Sequence, residues 1–137
     1  MSAYILDASY TLTWCFPDRA TEHTDAALRR MDARTDSAVV PWVWQVEVAN
    51  ALGKAVVKGK LSLTRAVEIW DELLLLPIRQ VPVDAIPALL HLAVKHNLSI
   101  YDTCYLQAAI VLSLPLATND SKLRQAAESC GIVTLVP

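Results

Sequence analysis

The sequence predicts a three-layer α/β fold, with a central, mostly parallel five-stranded sheet and helices on both faces. Two observations carry this. Short apolar or β-branched runs alternate along the chain with longer segments of helical periodicity. Strands separated by helices pair in parallel through right-handed crossovers. The 137 residues contain no linker, repeat or low-complexity stretch, so residues 1–137 read as a single domain. A chain of this size buries about two-thirds of the surface its unfolded form exposes.

The elements follow in order. Residues 3–6 are a short apolar run ending at Asp7 and form the first strand. Residues 9–16 make a short helix stopped by Pro17-Asp18. Ala27, Leu28 and Met31 give residues 21–34 a narrow apolar helical stripe opposite a charged face. Residues 37–40 are the second strand, and residues 41–57 a helix entered through Pro41 and left before Gly59. Ser62 caps the next helix. In it Leu63, Ala66, Val67, Trp70, Leu73 and Leu74 follow the i, i+3, i+4, i+7 pattern. Residues 78–83 hold the third strand. Asp84 opens a helix that tolerates Pro87 in its first turn, and Asn97-Leu98-Ser99 ends it. Residues 102–112 are helical, 115–118 form a short fourth strand, 121–129 a helix ended by Gly131, and 132–136 a fifth strand.

Composition excludes several classes. Net charge is −2, from 12 basic and 14 acidic residues, which is not the balance of a dedicated nucleic-acid binder. The basic groups Arg29, Arg30, Arg34 and Lys54, Lys58, Lys60 read as solvated helix faces. The apolar fraction, 54%, exceeds the usual share of about 45–50%, and fills either a rich core or a partner surface. Three widely spaced cysteines without C-x-x-C argue against a disulfide framework or a zinc site, and fit a reducing cytoplasm. No signal peptide and no membrane span is expected. Three glycines supply no P-loop or dinucleotide fingerprint. His23, His91 and His96 show no metal spacing, and no Ser-His-Asp site is legible. Trp42, Trp44 and Trp70 lie in apolar helix stripes, which favours core or dimer packing over base stacking.

The chemistry lies in four acidic residues. They are Asp7 in Leu6-Asp7-Ala8-Ser9, Glu47 in Glu47-Val48-Ala49-Asn50-Ala51-Leu52, Asp102 in Tyr101-Asp102-Thr103-Cys104-Tyr105, and Asp120 in Thr118-Asn119-Asp120. Asp7, Asp102 and Asp120 each precede a helix, so N-capping is their ordinary role. Asp7 is less ordinary, because it ends a strand that should be buried, and buried Asp is rare unless paired or metal-bound. Glu47 borders an apolar stripe, with Asn50 on the same side and able to hydrogen-bond it. In an open parallel sheet, strand ends and helix starts meet along one edge. Each pair of carboxylates gathered there costs about 4 kcal/mol at about 4 Å and an effective dielectric near 20. Such a cluster protonates or captures a cation, and hard oxygen ligands favour Mg²⁺ or Mn²⁺.

Taken together, these four motifs, in this order, resemble the PIN-domain family, and within it the VapC-type toxins of bacterial toxin–antitoxin pairs. The resemblance covers nearly the whole chain. Thr103 and Cys104 depart from it mildly, standing where small or apolar residues are commoner. It implies a PIN-like fold and a metal-dependent endoribonuclease in the cytoplasm. Asp7, Glu47, Asp102 and Asp120 would hold Mg²⁺ or Mn²⁺, with Ser9, Asn50 and Thr118 supporting those ligands or meeting the phosphate. It further implies an RNA substrate, a small antitoxin that plugs the site, and a homodimer built on the helix over residues 62–76 and the helix carrying Trp44. Two other readings are a receiver-like signalling domain, which wants an acidic pair where Ala8-Ser9 stands, and a PIN-like module without catalysis.

Overall fold

The computed structural model describes residues 2–83 and 85–137. Its centre is a parallel sheet of four strands, β1 (Ser2–Leu6), β2 (Asp36–Pro41), β3 (Ile78–Val81) and β4 (Leu116–Ala117), in the order β3-β2-β1-β4. Helices α1 (Ala8–Cys15), α2 (Glu22–Asp32), α3 (Val43–Val57), α4 (Leu63–Leu74), α5 (Ile86–His96), α6 (Ile100–Leu112) and α7 (Ser121–Ser129) flank it. Central strands of a parallel sheet are buried on both faces and read as continuous apolar runs. Ile5 and Leu6 of β1 and Val40 of β2 are accordingly sealed from solvent, whereas the edge strand β3 exposes Arg79 and Gln80.

Two expectations change. The fifth strand is a single parallel bridge, Leu116 to Thr134, rather than a ladder. Leu116 N–H donates to the Val133 carbonyl at 2.9 Å and Leu135 N–H to that of Leu116 at 2.9 Å. β4 offers only two residues, so a longer run finds no partner. Pro41 belongs to β2, pairing with Val81, and α3 begins two residues later. β2 pairs with β1 only as far as Val39, so at Pro41 its one strand neighbour is β3. The predicted helix start at Asp84 lies outside the described residues.

Local signals explain the helix ends. Thr21 and Thr24 form a reciprocal capping box on α2, and the Ser62 hydroxyl accepts from Arg65 N–H at the start of α4. Asn97 at φ 52° ends α5 in the left-handed conformation that Asn tolerates. Trp44 is buried, donates Nε1–H to Thr11 Oγ1 at 2.8 Å, and lies 5.5 Å from the Trp70 ring. It thereby ties α3 to α1 and α4. Trp42, by contrast, is exposed.

Candidate active site

The sheet order makes the site. With β1 paired to β4 in the register Leu6 to Ala117, the next residues, Asp7 and Thr118, emerge side by side. Asp7 N–H donates to the Ala117 carbonyl at 3.0 Å. Asp7 opens α1, yet its side chain caps nothing. Its Oδ2 instead accepts from Thr118 Oγ1 at 2.6 Å and Ser9 Oγ at 2.7 Å. Those hydroxyls in turn accept from the N–H groups of Asp120, at 3.0 Å, and Asn119, at 2.9 Å. Each hydroxyl thus bridges a backbone N–H to Asp7, and the two hydroxyls lie 3.2 Å apart, within hydrogen-bond reach of each other.

Asp7 is only 3% exposed. Burial pushes its carboxyl up to about 6; the Thr118 and Ser9 hydrogen bonds pull it back, and the Glu47 and Asp102 charges push it up again. Glu47, on α3, is half-buried and also raised, first by burial and then by Asp102, while the Tyr105 hydroxyl, donating to Oε1 at 2.7 Å, works against the rise. Asp102 is raised by burial and by Asp120, with Ser99 and Lys122 opposing. Like-charge repulsion thus runs from Asp7 to Glu47 and Asp102, from Glu47 to Asp102, and from Asp102 to Asp120. Among the described residues, no three Asp, Glu, His or Cys side chains are gathered closely enough to hold an ion as they stand.

The capping roles are settled differently for each acid. Asp102 is not the cap of α6. Ser99 is, accepting from Asp102 N–H at 3.1 Å, which leaves the Asp102 carboxylate in the first turn. Asp120 does cap α7, its Oδ1 accepting from Lys122 N–H at 2.9 Å and Leu123 N–H at 3.0 Å. A helix N-terminus favours that ionised carboxylate, so capping and ligation are compatible in one residue. Asn50 is exposed, and Glu47 takes its hydrogen bond from Tyr105 instead.

Tyr105, Ser99 and Lys122 are the participants that sequence reasoning missed. Tyr105 was findable, because it stands three residues after Asp102 and so shares its helix face. Its hydroxyl is pushed strongly up by burial and then by the Asp7 and Glu47 charges, which keeps it a proton donor.

The PIN-domain family profile matches residues 4–129. The chain belongs to the PIN-domain family. The receiver-like alternative falls with that match. Over 88 residues this PIN domain is 33% identical to Ribonuclease VapC1 of Mycobacterium tuberculosis, in strains CDC 1551 and H37Rv alike. The match takes in 63% of this chain and spans 65% of the length of those curated relatives. Among solved structures, PAE2754 from Pyrobaculum aerophilum superposes with a TM-score of 0.77 at 20% identity, over 97% of this chain and 83% of that one. VapBC2 from Rickettsia felis, bound to a DNA fragment from their promoter, superposes with a TM-score of 0.67 at 15% identity, over 96% of each chain. At those identities the two structures speak to the fold of this PIN domain. No helix among its described residues is long and apolar enough to cross a membrane.

Proposed function

We propose that this PIN domain is a metal-dependent endoribonuclease acting as the toxin of a toxin–antitoxin pair in the cytoplasm. One observation carries the reading: the carboxylate of Asp7, 3% exposed, is pushed above the usual carboxylate range by burial and further by the charges of Glu47 and Asp102. Burial with like charges is the condition that a divalent cation relieves. The donor set is all oxygen, which suits Mg²⁺ or Mn²⁺. Asp7, Glu47, Asp102 and Asp120 would hold the ion, which when bound would acidify a water and offset charge on the scissile phosphate. The rest is the protein's own work. Ser9 and Thr118 fix one oxygen of Asp7, and Tyr105 fixes Glu47. Asp120 is held on the α7 N-terminus by the N–H groups of Lys122 and Leu123. Hydrolysis would leave a 5′-phosphate and a 3′-hydroxyl. The presence of all four carboxylates speaks against a module without catalysis.

The experiment is Mn²⁺-dependent cleavage of single-stranded RNA, compared between the native chain and Asp102→Asn. Cleavage by the native chain that chelation abolishes and Asp102→Asn loses is expected. Equal cleavage by both proteins would end the catalytic assignment.

The same reading includes a small antitoxin and a homodimer. Exposed apolar side chains support the dimer: Val46 on α3 and Leu63, Val67 and Leu74 on α4. Leu63 and Val67 line an apolar groove between the two helices together with Ala49, Gly53, Val56 and Trp70. Monomers rarely leave large apolar patches uncovered. Light scattering at micromolar concentration should give twice the chain mass; a mass of one chain removes the dimer.

A further inference from the structure

The geometry points to a second contact site for the RNA strand: a groove lined by Phe16, Arg19, Lys54, Lys58 and Lys60 that grips phosphates flanking the scissile bond. This rests on the ribonuclease reading above and adds the path the strand takes.

Glu47 and Lys54 lie on α3, and Lys58 is its C-cap, directly after Val57. The three are separated by seven and four residues, close to two turns and one. At about 100° per residue the three fall within roughly 40° of one line along the helix. The face that carries Glu47 toward Asp7 therefore continues to two lysines, about 10 and 16 Å farther along the axis. There it meets the short 3-10 turn Pro17–Arg19 that follows α1. Between them lies a cavity of about 350 Å³ with Ala51, Ala55 and Leu61 in its floor.

Its charge is lopsided. Arg19, Lys54, Lys58 and Lys60 line it, against the one carboxylate of Asp18. The ion pairs among the described residues use Arg30 and Arg65, and none uses these four cations. Lysines near a helix C-terminus do offset the helix dipole, and that accounts for Lys54 and Lys58 singly. Lys60, whose N–H donates to the Ala55 carbonyl at 2.9 Å in the turn closing α3, shares that role, but the dipole does not account for Arg19 converging on the same groove from the segment after α1, in a chain whose net charge is −2. The Arg19 guanidinium is held over the Phe16 ring, 4.9 Å from its centroid. That fixes a planar cation on an aromatic support, a surface on which an unpaired base stacks. Cations tracking a groove beside such a platform are what single-stranded nucleic acid requires. The acidic sheet edge repels phosphates, so a strand reaching it needs attraction supplied nearby.

The test uses the full chain with Asp7→Asn as a background that binds without cutting. A fluorescein-labelled single-stranded RNA oligonucleotide is titrated by anisotropy across a salt series, with and without Lys54→Glu and Lys58→Glu together. Both lysines are exposed, and a thermal melt checks folding. The expected result is affinity weaker by about tenfold or more, with the slope of log affinity against log salt smaller by about 1.4, two single-strand phosphate contacts. Arg79→Glu with Lys95→Glu makes the same change in net charge on β3 and α5, and should cost much less. Unchanged slope and affinity in the lysine variant, or an equal loss in the control, overturns the groove. So does a lysine variant that loses binding to polyglutamate while keeping RNA, which would assign the surface to an acidic protein partner. The two readings separate cleanly. RNA binding that depends on the lysines, in a native chain that never cleaves, keeps the groove and removes the nuclease. Mn²⁺-dependent cleavage with lysine-independent binding does the reverse.

Discussion

Asp7→Asn is expected to lower Mn²⁺-dependent RNA cleavage by about 100-fold or more, since disturbing even the outer partners of a metal ligand typically costs 10–100-fold. The same substitution is expected to stabilise the metal-free protein at neutral pH. The two effects share one cause. Folding moves the Asp7 carboxyl from 3.8 up to about 6. A folded value above the unfolded one means that the folded state binds the extra proton. The associated stability is fully present below about pH 4 and is lost as pH rises through about 6. At pH 7.5 the ionised, buried carboxylate therefore carries a penalty on the order of 3 kcal/mol, at about 1.4 kcal/mol per unit. Asn does not ionise and still offers an oxygen to Ser9 and Thr118. Urea unfolding in chelator should find Asp7→Asn more stable by about 1–3 kcal/mol at pH 7.5, with the difference vanishing near pH 4. Added Mn²⁺ should reverse the order, because an ion that binds only the folded native protein stabilises it by mass action. A variant less stable than the native chain at both pH values would show that the Asp7 charge is not a liability of the empty site.

That coupling also explains what the sequence could reveal. Asp7 stood out because a carboxylate ending a buried strand has few ordinary roles, and the structure places it in that position, 3% exposed. Ser9 and Thr118 were candidates only through the family motifs; their meeting on one Asp7 oxygen depends on β1 lying beside β4, and periodicity carries no strand order. Ser99 was readable. Ser-x-x-Asp before an apolar run is a capping signature, and it moves the helix start to Ile100, two residues ahead of Asp102. The fifth strand failed for a non-local reason. Residues 132–136 have the composition of a strand, but a ladder is as long as its shorter member, and β4 has two residues. Lys54 and Lys58 looked like a solvated face because nothing local announces that the 3-10 turn after α1 brings Arg19 and Phe16 against them.

Trp44→Ala is expected to destabilise the protein by about 3–5 kcal/mol, the usual range for deleting a buried large aromatic. Against a total stability of about 5–15 kcal/mol for a typical domain, that is a large fraction. The indole is 3% exposed and packs on Trp70. It also closes a chain of hydrogen bonds: Trp44 Nε1–H donates to Thr11 Oγ1 at 2.8 Å, and the fully buried Thr11 hydroxyl donates to the Asp7 carbonyl at 3.1 Å. Trp44 lies three residues before Glu47 on α3, so this chain sets how far the Glu47 helix stands from Asp7. Trp44→Phe separates the two contributions. It keeps most of the buried volume and removes only the donor, for a stability cost of about 1–2 kcal/mol. If the indole N–H positions the site, Trp44→Phe should lose cleavage well beyond its loss of folded protein, with Mn²⁺ affinity falling in step. Urea unfolding, Mn²⁺ titration calorimetry and cleavage rates on both variants decide it. Full cleavage in Trp44→Phe would reduce Trp44 to a packing residue, and a cost below about 1 kcal/mol in Trp44→Ala would contradict its place in the core.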